Sequence, residues 1–326
     1  MMGRMSDPTN VLRILFMGAG AVGQGVGGFL AAAGHEVALV LRPRYRDALA
    51  RQGLRVEGIF GDRHVHPDRL TLATDPAELA GRQFDAVVIT VKSHDTPAAA
   101  EAAAPLVGPT TAVVSMQNGY GNVEHLADRF GTDRVLCARV ITGFSIPEPG
   151  RVVITVHADA IRIGSFYRPH HPMAERLAAA IDDAGLPAKA ADDVEAVLWG
   201  KILYNCALNP LGAILGVHYG ALADSPQTRA IMDAIIDEAF AVIDAHGFRC
   251  LWPSADAFRE AFYGRQIPPT YDHRPSMLQD LAAGRRTEID ALNGALVRLA
   301  AEKDIPAPIN QTIVRLVHFL EAHAAH

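Results

Sequence analysis

Six consecutive residues restrict the fold of this chain more than any other stretch: Gly18-Ala19-Gly20-Ala21-Val22-Gly23. They follow an apolar, strand-like run and precede a helical pattern, which is the context that gives a GxGxxG sequence its meaning. The first glycine permits a tight turn, the second lets the backbone approach a pyrophosphate, and the third lets helix and strand pack closely. We therefore expect a dinucleotide to bind here, at the helix N-terminus, on Gly18, Gly20, Ala21, Val22 and Gly23. The alternative is a glycine-rich turn that binds nothing.

The end of the second predicted strand indicates which dinucleotide is bound. A site for NAD usually places Asp or Glu there, on the ribose 2′-hydroxyl. Here the strand ends Val40-Leu41-Arg42, and no carboxylate occupies that end. Because a guanidinium pairs well with a phosphate, we expect the cofactor to be NADP (NADPH), with Arg42 on its 2′-phosphate. The alternative is that Arg42 is a solvated loop residue.

Strand-like runs alternate with Ala-rich helical patterns through the first two-fifths of the chain. Several runs are apolar on consecutive residues, as in Ala86-Val87-Val88-Ile89, which is typical of a parallel strand covered on both faces. The alternation predicts an α/β fold with a Rossmann-type, doubly wound sheet. The predicted strands are 13–18, 36–42, 84–92, 111–118 and 134–140, and the predicted helices are 22–33, 96–104 and 122–129.

Two stretches depart from this alternation. Residues 54–72, with Gly58 and Gly61, predict an inserted hairpin, and residues 143–166 predict antiparallel strands that complete the sheet. A helix at 173–184 and a short run to about residue 191 close this half of the chain.

Near residue 192 the pattern changes, because almost no strand signal follows it. Helical patterns cover 194–208, 228–246, 255–262, 276–303 and 310–323. We therefore expect a polar tail at 1–12, an NADP-binding Rossmann domain at 13–191 and an all-α domain for substrate and catalysis at 192–326.

Composition and charge exclude several classes of protein. Hydrophobic residues make up 49% of the chain and charged residues 20%, so the chain can bury a large core and we do not expect it to be disordered. The net charge of -6 argues against a nucleic-acid partner. The 3 cysteines, widely spaced, fit a reducing cytosol, and no metal-ligand spacing occurs among the 14 histidines. We expect a cytoplasmic protein that binds no metal.

No segment predicts a signal peptide or a membrane span. The longest apolar stretch, 194–223, contains Lys201, two asparagines, Pro210 and His218, which a lipid-facing helix would not tolerate. We therefore expect no membrane partner.

That same stretch carries three polar residues, Lys201, Asn205 and Asn209, at intervals of four. On a helix these positions drift by only about 80° in total, so they share one stripe. Burying three polar side chains is costly unless they are paired or needed, which makes them candidate functional residues. The alternative is a solvent-facing stripe, with the Lys201 stem along the surface.

From residue 13 to the C-terminal helices, the chain resembles the ketopantoate reductase (2-dehydropantoate 2-reductase) family. Beside the glycine turn, the resemblance rests on motifs in the family's order and spacing. They are Thr90-Val91-Lys92, Gln117-Asn118-Gly119, Trp199-x-Lys201-x3-Asn205-x3-Asn209-Pro210, Ser276-Met277-Leu278-Gln279-Asp280 and Thr287-Glu288-Ile289-Asp290.

The resemblance implies NADPH-dependent reduction of an α-keto acid to an α-hydroxy acid, with ketopantoate in pantothenate biosynthesis as the leading substrate. It implies that Lys201 is the general acid and that Glu288 supports it. The remaining implied roles are substrate contacts for Asn205, Asn209, Ser276 and Asn118, and contacts to the nicotinamide end of the cofactor for Lys92 and Asn118. We leave open whether the protein forms a homodimer.

Each of three residues also has a structural alternative. Ser276 with Gln279 forms a Ser-x-x-Gln capping box. Glu288, near Arg285 and Arg286, fits a surface ion pair. Asn118 before Gly119 is ordinary turn chemistry.

The chain departs from the family's Asn-rich pattern in two segments, Gly216-Val217-His218-Tyr219-Gly220 and Tyr271-Asp272-His273-Arg274-Pro275. The run Val140-Ile141-Thr142-Gly143-Phe144-Ser145 differs as well. Because these segments should touch the substrate tail, two alternatives stay open. One is a related NADP-dependent reductase for a different keto acid, and the other is a catalytically silent NADP-binding sensor.

Overall fold

The computed structural model describes residues 11–323, so residues 1–10 of the predicted polar tail lie outside the described residues. The chain divides into two compact units. The first unit runs to Gln117 and continues over Asn122–Val194, and the second comprises Asn118–Gly121 and the chain from Glu195 onward. The loop Asn118–Gly121 thus belongs to a different unit from the residues on either side of it.

The first unit is built on one mixed sheet. Its elements are β1 (Arg13–Met17), α1 (Ala21–Ala32), β2 (Glu36–Val40), α2 (Pro43–Gln52), β3 (Leu54–Gly58), β4 (Arg63–Val65), β5 (Leu70–Ala73), β6 (Ala86–Ile89), α3 (Thr96–Ala103), β7 (Ala112–Ser115), α4 (Asn122–Phe130), β8 (Val135–Glu148), β9 (Arg151–Gly164), α5 (Pro172–Asp183) and β10 (Ala188–Ala190). Short 3₁₀ turns at Pro67–Arg69, Pro76–Leu79, Ser93–Asp95, Ala104–Leu106 and Thr132–Arg134 join some of them.

The strand order of the sheet is that of a Rossmann fold. β5, β2, β1, β6, β7 and β8 lie side by side in that order, and each neighbouring pair is parallel. With the hairpin strands β3 and β4 left out of the count, this is the 3-2-1-4-5-6 order of dinucleotide-binding sheets. The predicted doubly wound sheet is therefore confirmed.

A long hairpin extends the sheet beyond its parallel core. β8 and β9 are 14 residues each and pair antiparallel, which confirms the antiparallel strands predicted for 143–166. β9 also pairs in parallel with β3 and with β10.

Two predictions for this unit are wrong in part. β3 and β4 form the expected hairpin, but β5 pairs with β2 and belongs to the parallel sheet, so the hairpin does not extend to residue 72. Helix α2 was not predicted. Only Ala48 and Leu49 of it are buried and most of its residues are polar, so few apolar residues mark it in the sequence, although Pro43 at the first helical position was an available signal.

Glycines bring α1 close against the sheet. A Cβ on Gly28 would lie 2.6 Å from Cγ2 of Val56, and a Cβ on Gly25 would lie 2.4 Å from the ring of Phe144. The helix can therefore approach β3 and β8 only because these positions lack side chains, and this packing fixes the helix that begins at the glycine turn.

The second unit is helical. Its helices are α6 (Val194–Leu215), α7 (Tyr219–Asp224), α8 (Pro226–His246), α9 (Ala255–Ala261), α10 (Ser276–Ala282), α11 (Asn293–Glu302) and α12 (Pro308–His323). The first residue of α6, Val194, is assigned to the first unit. A π-helical turn lies at Phe262–Gln266, and 3₁₀ turns lie at Pro268–Thr270 and Ile289–Ala291. Its described residues, 118–121 and 195–323, include no strand, so the predicted all-α class is confirmed. Over residues 11–323, no helix is long and apolar enough to cross a membrane.

Helix α6 is longer than the predicted 194–208, because it continues through Pro210. A proline inside a helix leaves the carbonyl four residues earlier without its usual N–H partner. Here that carbonyl belongs to Cys206, and it accepts a hydrogen bond from the buried amide of Asn293 at 3.1 Å. A side chain from a distant part of the chain thus replaces the missing donor and lets the helix continue.

The single helix predicted for 276–303 is wrong. The chain forms α10, a break and then α11, because Gly284 adopts a left-handed conformation (φ +61°) and ends α10. The N–H of Arg285 donates to the carbonyl of Asp280 at 2.8 Å, which closes the last turn. Ser276 and Glu288 therefore lie on different elements, so the angular spacing of a single helix does not determine their relative positions.

An arginine buried between β8 and β9 depends on one carboxylate. Arg139, 4% exposed, donates to Asp159, which also accepts from Arg162. Partial burial alone would raise the pKa of Asp159, but the hydrogen bonds and charges of Arg162 and Arg139 outweigh it and lower the pKa to about 2. The carboxylate therefore stabilises the folded hairpin in its ionised form.

Replacing Asp159 by Asn should lower the free energy of unfolding by about 1–2 kcal/mol at pH 7, allowing for the partial exposure of the carboxylate. A lowered folded-state pKa means that the stabilisation is complete above the ordinary value of 3.8 and is lost as the pH falls towards about 2. The difference between wild type and Asp159→Asn in chemical denaturation should therefore narrow below pH 4. Asp128→Asn, an exposed change on α4, is the control. A difference that does not vary with pH would contradict the assignment.

Candidate active site

Hydrogen bonds from two neighbouring strands close the glycine turn. The N–H of Ala19 donates to the carbonyl of Val40 at 2.9 Å, and the Thr90 hydroxyl donates to the carbonyls of Met17 and Gly18 at 3.1 and 3.2 Å. Gly18 has φ of +75°, and a Cβ there would lie 2.1 Å from Cγ1 of Val91. Only glycine therefore fits at this residue, for conformational and steric reasons.

The N-terminus of α1 has room for a ligand. Its N-cap is Gly20, which brings no side chain to the turn, and the first turn holds no acidic residue. A Cβ on Gly20 would meet only the carbonyl oxygen of Gly18, at 3.8 Å, whereas a Cβ on Gly23 would lie 2.8 Å from the Thr90 hydroxyl. Gly20 thus borders open space and Gly23 serves packing. The first N–H groups of a helix, including those of Ala21 and Val22, lack helical partners, so the turn fits a pyrophosphate.

Arg42 and Lys92 follow two other strands of the same unit. Arg42 is exposed, lies two residues after β2 and is the N-cap of α2. Lys92 lies three residues after β6, and its carbonyl accepts from the N–H of Asp95 at 2.8 Å. Together with the glycine turn after β1, these residues lie at the carboxyl ends of adjacent parallel strands, which is where open α/β sheets bind ligands.

In the second unit, Lys201, Asn118 and Glu288 form one hydrogen-bonded cluster. Nζ of Lys201 donates to Oδ1 of Asn118 at 2.6 Å, and Nδ2 of Asn118 donates to Oε2 of Glu288 at 3.0 Å. Glu288 is 9% exposed and Lys201 is half-buried, so water screens both charges poorly. The amide is held with its oxygen towards the ammonium and its nitrogen towards the carboxylate. This arrangement can hold a proton at Nζ.

The backbone of Asn118 is fixed by its neighbour Gly119. Gly119 has φ of +84°, and a Cβ there would lie 2.4 Å from the carbonyl oxygen of Ala291. That same carbonyl accepts from the N–H of Tyr120 at 2.8 Å. The loop thus lies against Ala291, three residues beyond Glu288, which brings the two ends of the Asn118–Glu288 hydrogen bond together.

An aromatic cluster holds the other end of the loop. The ring of Tyr120 lies 5.4 Å from Trp199 and 5.5 Å from Phe248, and Trp199 and Phe248 stack at 4.9 Å. Trp199 is two residues before Lys201 on α6, so the cluster ties the loop to the helix that carries the lysine. Sequence reasoning missed the part played by Tyr120 and Ala291, because their contacts join distant parts of the chain.

The two asparagines of the polar stripe differ in their partners. Asn205 is 8% exposed, and its amide has no hydrogen-bond partner among residues 11–323. Asn209 is equally buried, but its Oδ1 accepts from the hydroxyl of Tyr219 at 2.6 Å. The predicted solvent-facing stripe is therefore wrong for both asparagines, since a solvated stripe would leave them exposed.

Ser276 and Glu288 do not take their structural alternatives. Ser276 is the first residue of α10 and exposed, the N-cap is Pro275, and no side-chain capping bond forms there. Arg285 pairs with Asp280 and Arg286 with Asp290, so neither arginine gives Glu288 the predicted surface ion pair. The turn alternative for Asn118 coexists with its side-chain bonds, because Gly119 does form a tight turn. Within residues 11–323, no group of three or more His, Cys, Asp or Glu could hold a metal ion.

Gly119→Ala should lower the free energy of unfolding by about 2 kcal/mol more than Gly121→Ala does. Both residues have positive φ, which costs an alanine about 1–2 kcal/mol. Only at Gly119 would the new Cβ also meet the carbonyl of Ala291, since nothing lies within 4 Å of a Cβ on Gly121. Chemical denaturation of the two variants measures the difference. Equal losses would show that the contact with Ala291 does not constrain the loop.

Comparisons with known proteins agree with this architecture. The family model described as "Ketopantoate reductase PanE/ApbA" matches residues 14–168, and the model described as "Ketopantoate reductase PanE/ApbA C terminal" matches residues 193–321. The 2-dehydropantoate 2-reductase of Aquifex aeolicus is 39% identical over 94% of this chain and 96% of its own length. That of Archaeoglobus fulgidus is 33% identical over 96% of this chain and 99% of its own length.

Solved structures share the same fold. A PanE/ApbA family ketopantoate reductase from Ralstonia eutropha has a TM-score of 0.84 at 35% identity, with 97% of this chain and 100% of that one covered. A ternary structure of D-mandelate dehydrogenase with NADH and anilino(oxo)acetate has a TM-score of 0.85 at 21% identity, with 96% and 99% covered, and it shares the fold alone. From the two family models and these identities along nearly the whole chain, it follows that this protein belongs to the ketopantoate reductase PanE/ApbA family of NAD(P)-dependent oxidoreductases.

Proposed function

We propose that this chain catalyses the NADPH-dependent reduction of 2-dehydropantoate (ketopantoate) to pantoate, a step of pantothenate biosynthesis. The observation that carries the proposal is the cluster of Lys201, Asn118 and Glu288, which places a half-buried ammonium on a fixed amide. The relatives named 2-dehydropantoate 2-reductase, matched over nearly their whole length, support the choice of substrate. In this proposal residues 13–191 bind NADP, and residues 192–326 together with Asn118 carry substrate and catalysis.

Lys201 is the general acid in this mechanism. When bound, NADPH supplies a hydride to the carbonyl carbon of the keto acid. As the carbonyl oxygen gains negative charge, the Lys201 ammonium stabilises it and transfers a proton from Nζ, so that the product is the hydroxy acid and the lysine is left neutral. Lys201 then regains a proton from water. Hydride and proton together account for the two hydrogens gained by the substrate.

Asn118 and Glu288 orient the lysine. Because the Asn118 nitrogen donates to Glu288, its oxygen is the group that faces Nζ, and one N–H of the ammonium is committed to it. This bond fixes the position of Nζ, at which the carbonyl oxygen of the substrate binds in this proposal.

The other polar groups bind the substrate and the cofactor. The free hydroxyl of Ser276 binds the substrate carboxylate, and the amides of Asn205 and Asn209 bind the tail. Lys92 and Asn118 line the nicotinamide end of the cofactor, the turn from Gly18 to Gly23 holds the pyrophosphate, and Arg42 holds the 2′-phosphate.

Wild-type protein with NADPH and a panel of keto acids tests the substrate, through the loss of NADPH absorbance. Fastest turnover of ketopantoate would support the proposal. Turnover of another keto acid alone would support a reductase of different specificity. NADPH binding without turnover of any keto acid would support the silent sensor.

Lys201→Ala should lower kcat by about 10²–10⁴, as expected when a general acid is removed. Lys201→Arg should be nearly as slow, because a guanidinium keeps the charge but hardly releases a proton. NADPH binding and the thermal unfolding midpoint should be unchanged in both variants, which separates loss of catalysis from loss of fold. Activity close to wild type in either variant would remove Lys201 as proton donor.

Arg42→Ala should weaken NADPH binding by about one to two decades and leave NADH binding nearly unchanged, because a charge-assisted hydrogen bond to phosphate is worth about 1.5–3 kcal/mol. Arg51→Ala, exposed in the last turn of the same helix, is the matched control and should change neither affinity. Titration of both cofactors by fluorescence measures the effect. Equal losses for NADPH and NADH would make Arg42 a structural residue.

A further inference from the structure

The two segments that depart from the family pattern, 216–220 and 271–275, form one paired structure in the second unit. The N–H of Tyr219 donates to the carbonyl of His273 at 3.1 Å, and the N–H of Gly220 donates to the carbonyl of Tyr271 at 2.8 Å. A Cβ on Gly220 would lie 2.4 Å from the ring of Tyr271, so this ring packs directly against the backbone of Gly220. The departures are thus matched to each other.

Tyr219 connects this paired structure to Asn209, one of the three polar residues on α6. It is 3% exposed, and its hydroxyl donates to Oδ1 of Asn209 at 2.6 Å. Its ring lies 5.8 Å from Tyr204, nearly perpendicular to it, and 5.2 Å from the ring of His273. The ring is therefore confined on both sides, and the hydroxyl cannot swing away from the amide without disturbing these contacts.

The bond from Tyr219 decides what Asn209 can offer to a ligand. Its oxygen is occupied, while its nitrogen has no partner among residues 11–323 and is not among the polar atoms sealed from solvent. Burial raises the pKa of Tyr219, so the phenol remains a donor and keeps the amide in one orientation. Asn209 thus presents a fixed hydrogen-bond donor, two helical turns and about 12 Å along α6 from Lys201.

We propose that Tyr219 is a specificity-determining residue, which holds the Asn209 amide so that its NH₂ donates to the hydroxyl oxygen on the tail of a branched keto acid. This inference rests on the proposed function and adds the residue that selects the tail. A donor fixed in advance loses little freedom when it binds an acceptor, and it is left unpaired when the tail has none. The substrate class is therefore a keto acid with an acceptor on its tail, as in ketopantoate.

The experiment compares ketopantoate with the same branched keto acid lacking the hydroxyl, in wild type, Tyr219→Phe and Tyr204→Phe. Wild type should prefer ketopantoate in kcat/KM by about two decades or more. Tyr219→Phe should reduce this preference by about tenfold, through a higher KM for ketopantoate, with kcat and the efficiency on the other keto acid nearly unchanged. Tyr204→Phe removes a comparable buried hydroxyl, paired with Thr270 at 2.6 Å, and should leave the preference intact.

A double-mutant cycle shows whether Tyr219 acts through Asn209. Asn209→Ala should reduce the preference at least as much as Tyr219→Phe does, and adding Tyr219→Phe to it should have no further effect. Asn209→Ala also keeps the test open if Tyr219→Phe fails to fold, since an unchanged preference in it would overturn the inference.

Three other results would overturn the inference. Equal losses on both keto acids in Tyr219→Phe would make Tyr219 a structural residue only. Equal turnover of both keto acids by wild type would leave the reductase standing and remove the inference, whereas turnover of neither would remove the proposed function as well.

Discussion

The proposed chemistry depends on the two hydrogen bonds that the side-chain amide of Asn118 makes. The amide accepts from the Lys201 ammonium and donates to the Glu288 carboxylate, so one neutral side chain links two opposite charges. Because both ends of the amide are engaged, its orientation is fixed and the position of the ammonium with it. The contact of Gly119 with Ala291 and the packing of Tyr120 on Trp199 keep this amide in place.

The helix that carries Lys201 depends on a second buried amide, that of Asn293 on α11. Pro210 leaves the carbonyl of Cys206 without its helical donor, and Asn293 supplies one. Asn293 also donates to Asn310, which in turn donates to Glu238. These buried polar bonds join α6, α8, α11 and α12, so the continuity of the helix beneath the site rests on contacts with three other helices.

Local features could be predicted from the sequence and long-range ones could not. The glycine turn is recognised from the spacing of its glycines, and the strand Ala86–Ile89 from its consecutive apolar residues. Both signals lie within a few neighbouring residues. Lys201 and Asn118 are 83 residues apart, and Asn118 and Glu288 are 170 apart. The family resemblance suggested only that Glu288 supports Lys201, and the bonds of Asn118 to both residues were not predicted. The prediction of one continuous helix over 276–303 is wrong at Gly284, because the left-handed conformation of this residue ends α10. Helix α2 was missed because it buries only two residues and most of its side chains are polar.

The free-energy cost of burying polar side chains made Lys201, Asn205 and Asn209 on α6 candidate functional residues. The structure offsets this cost differently at each of the three residues. Lys201 is held by Asn118 and Asn209 by Tyr219, so both groups are oriented before any ligand arrives. Asn205 lies between them, equally buried, with no partner for its amide in the described chain. A buried amide without a partner costs about 1–3 kcal/mol, which a bound substrate would offset. The helix therefore has two groups fixed by the protein and, midway between them, one buried amide that the proposed function assigns to the substrate.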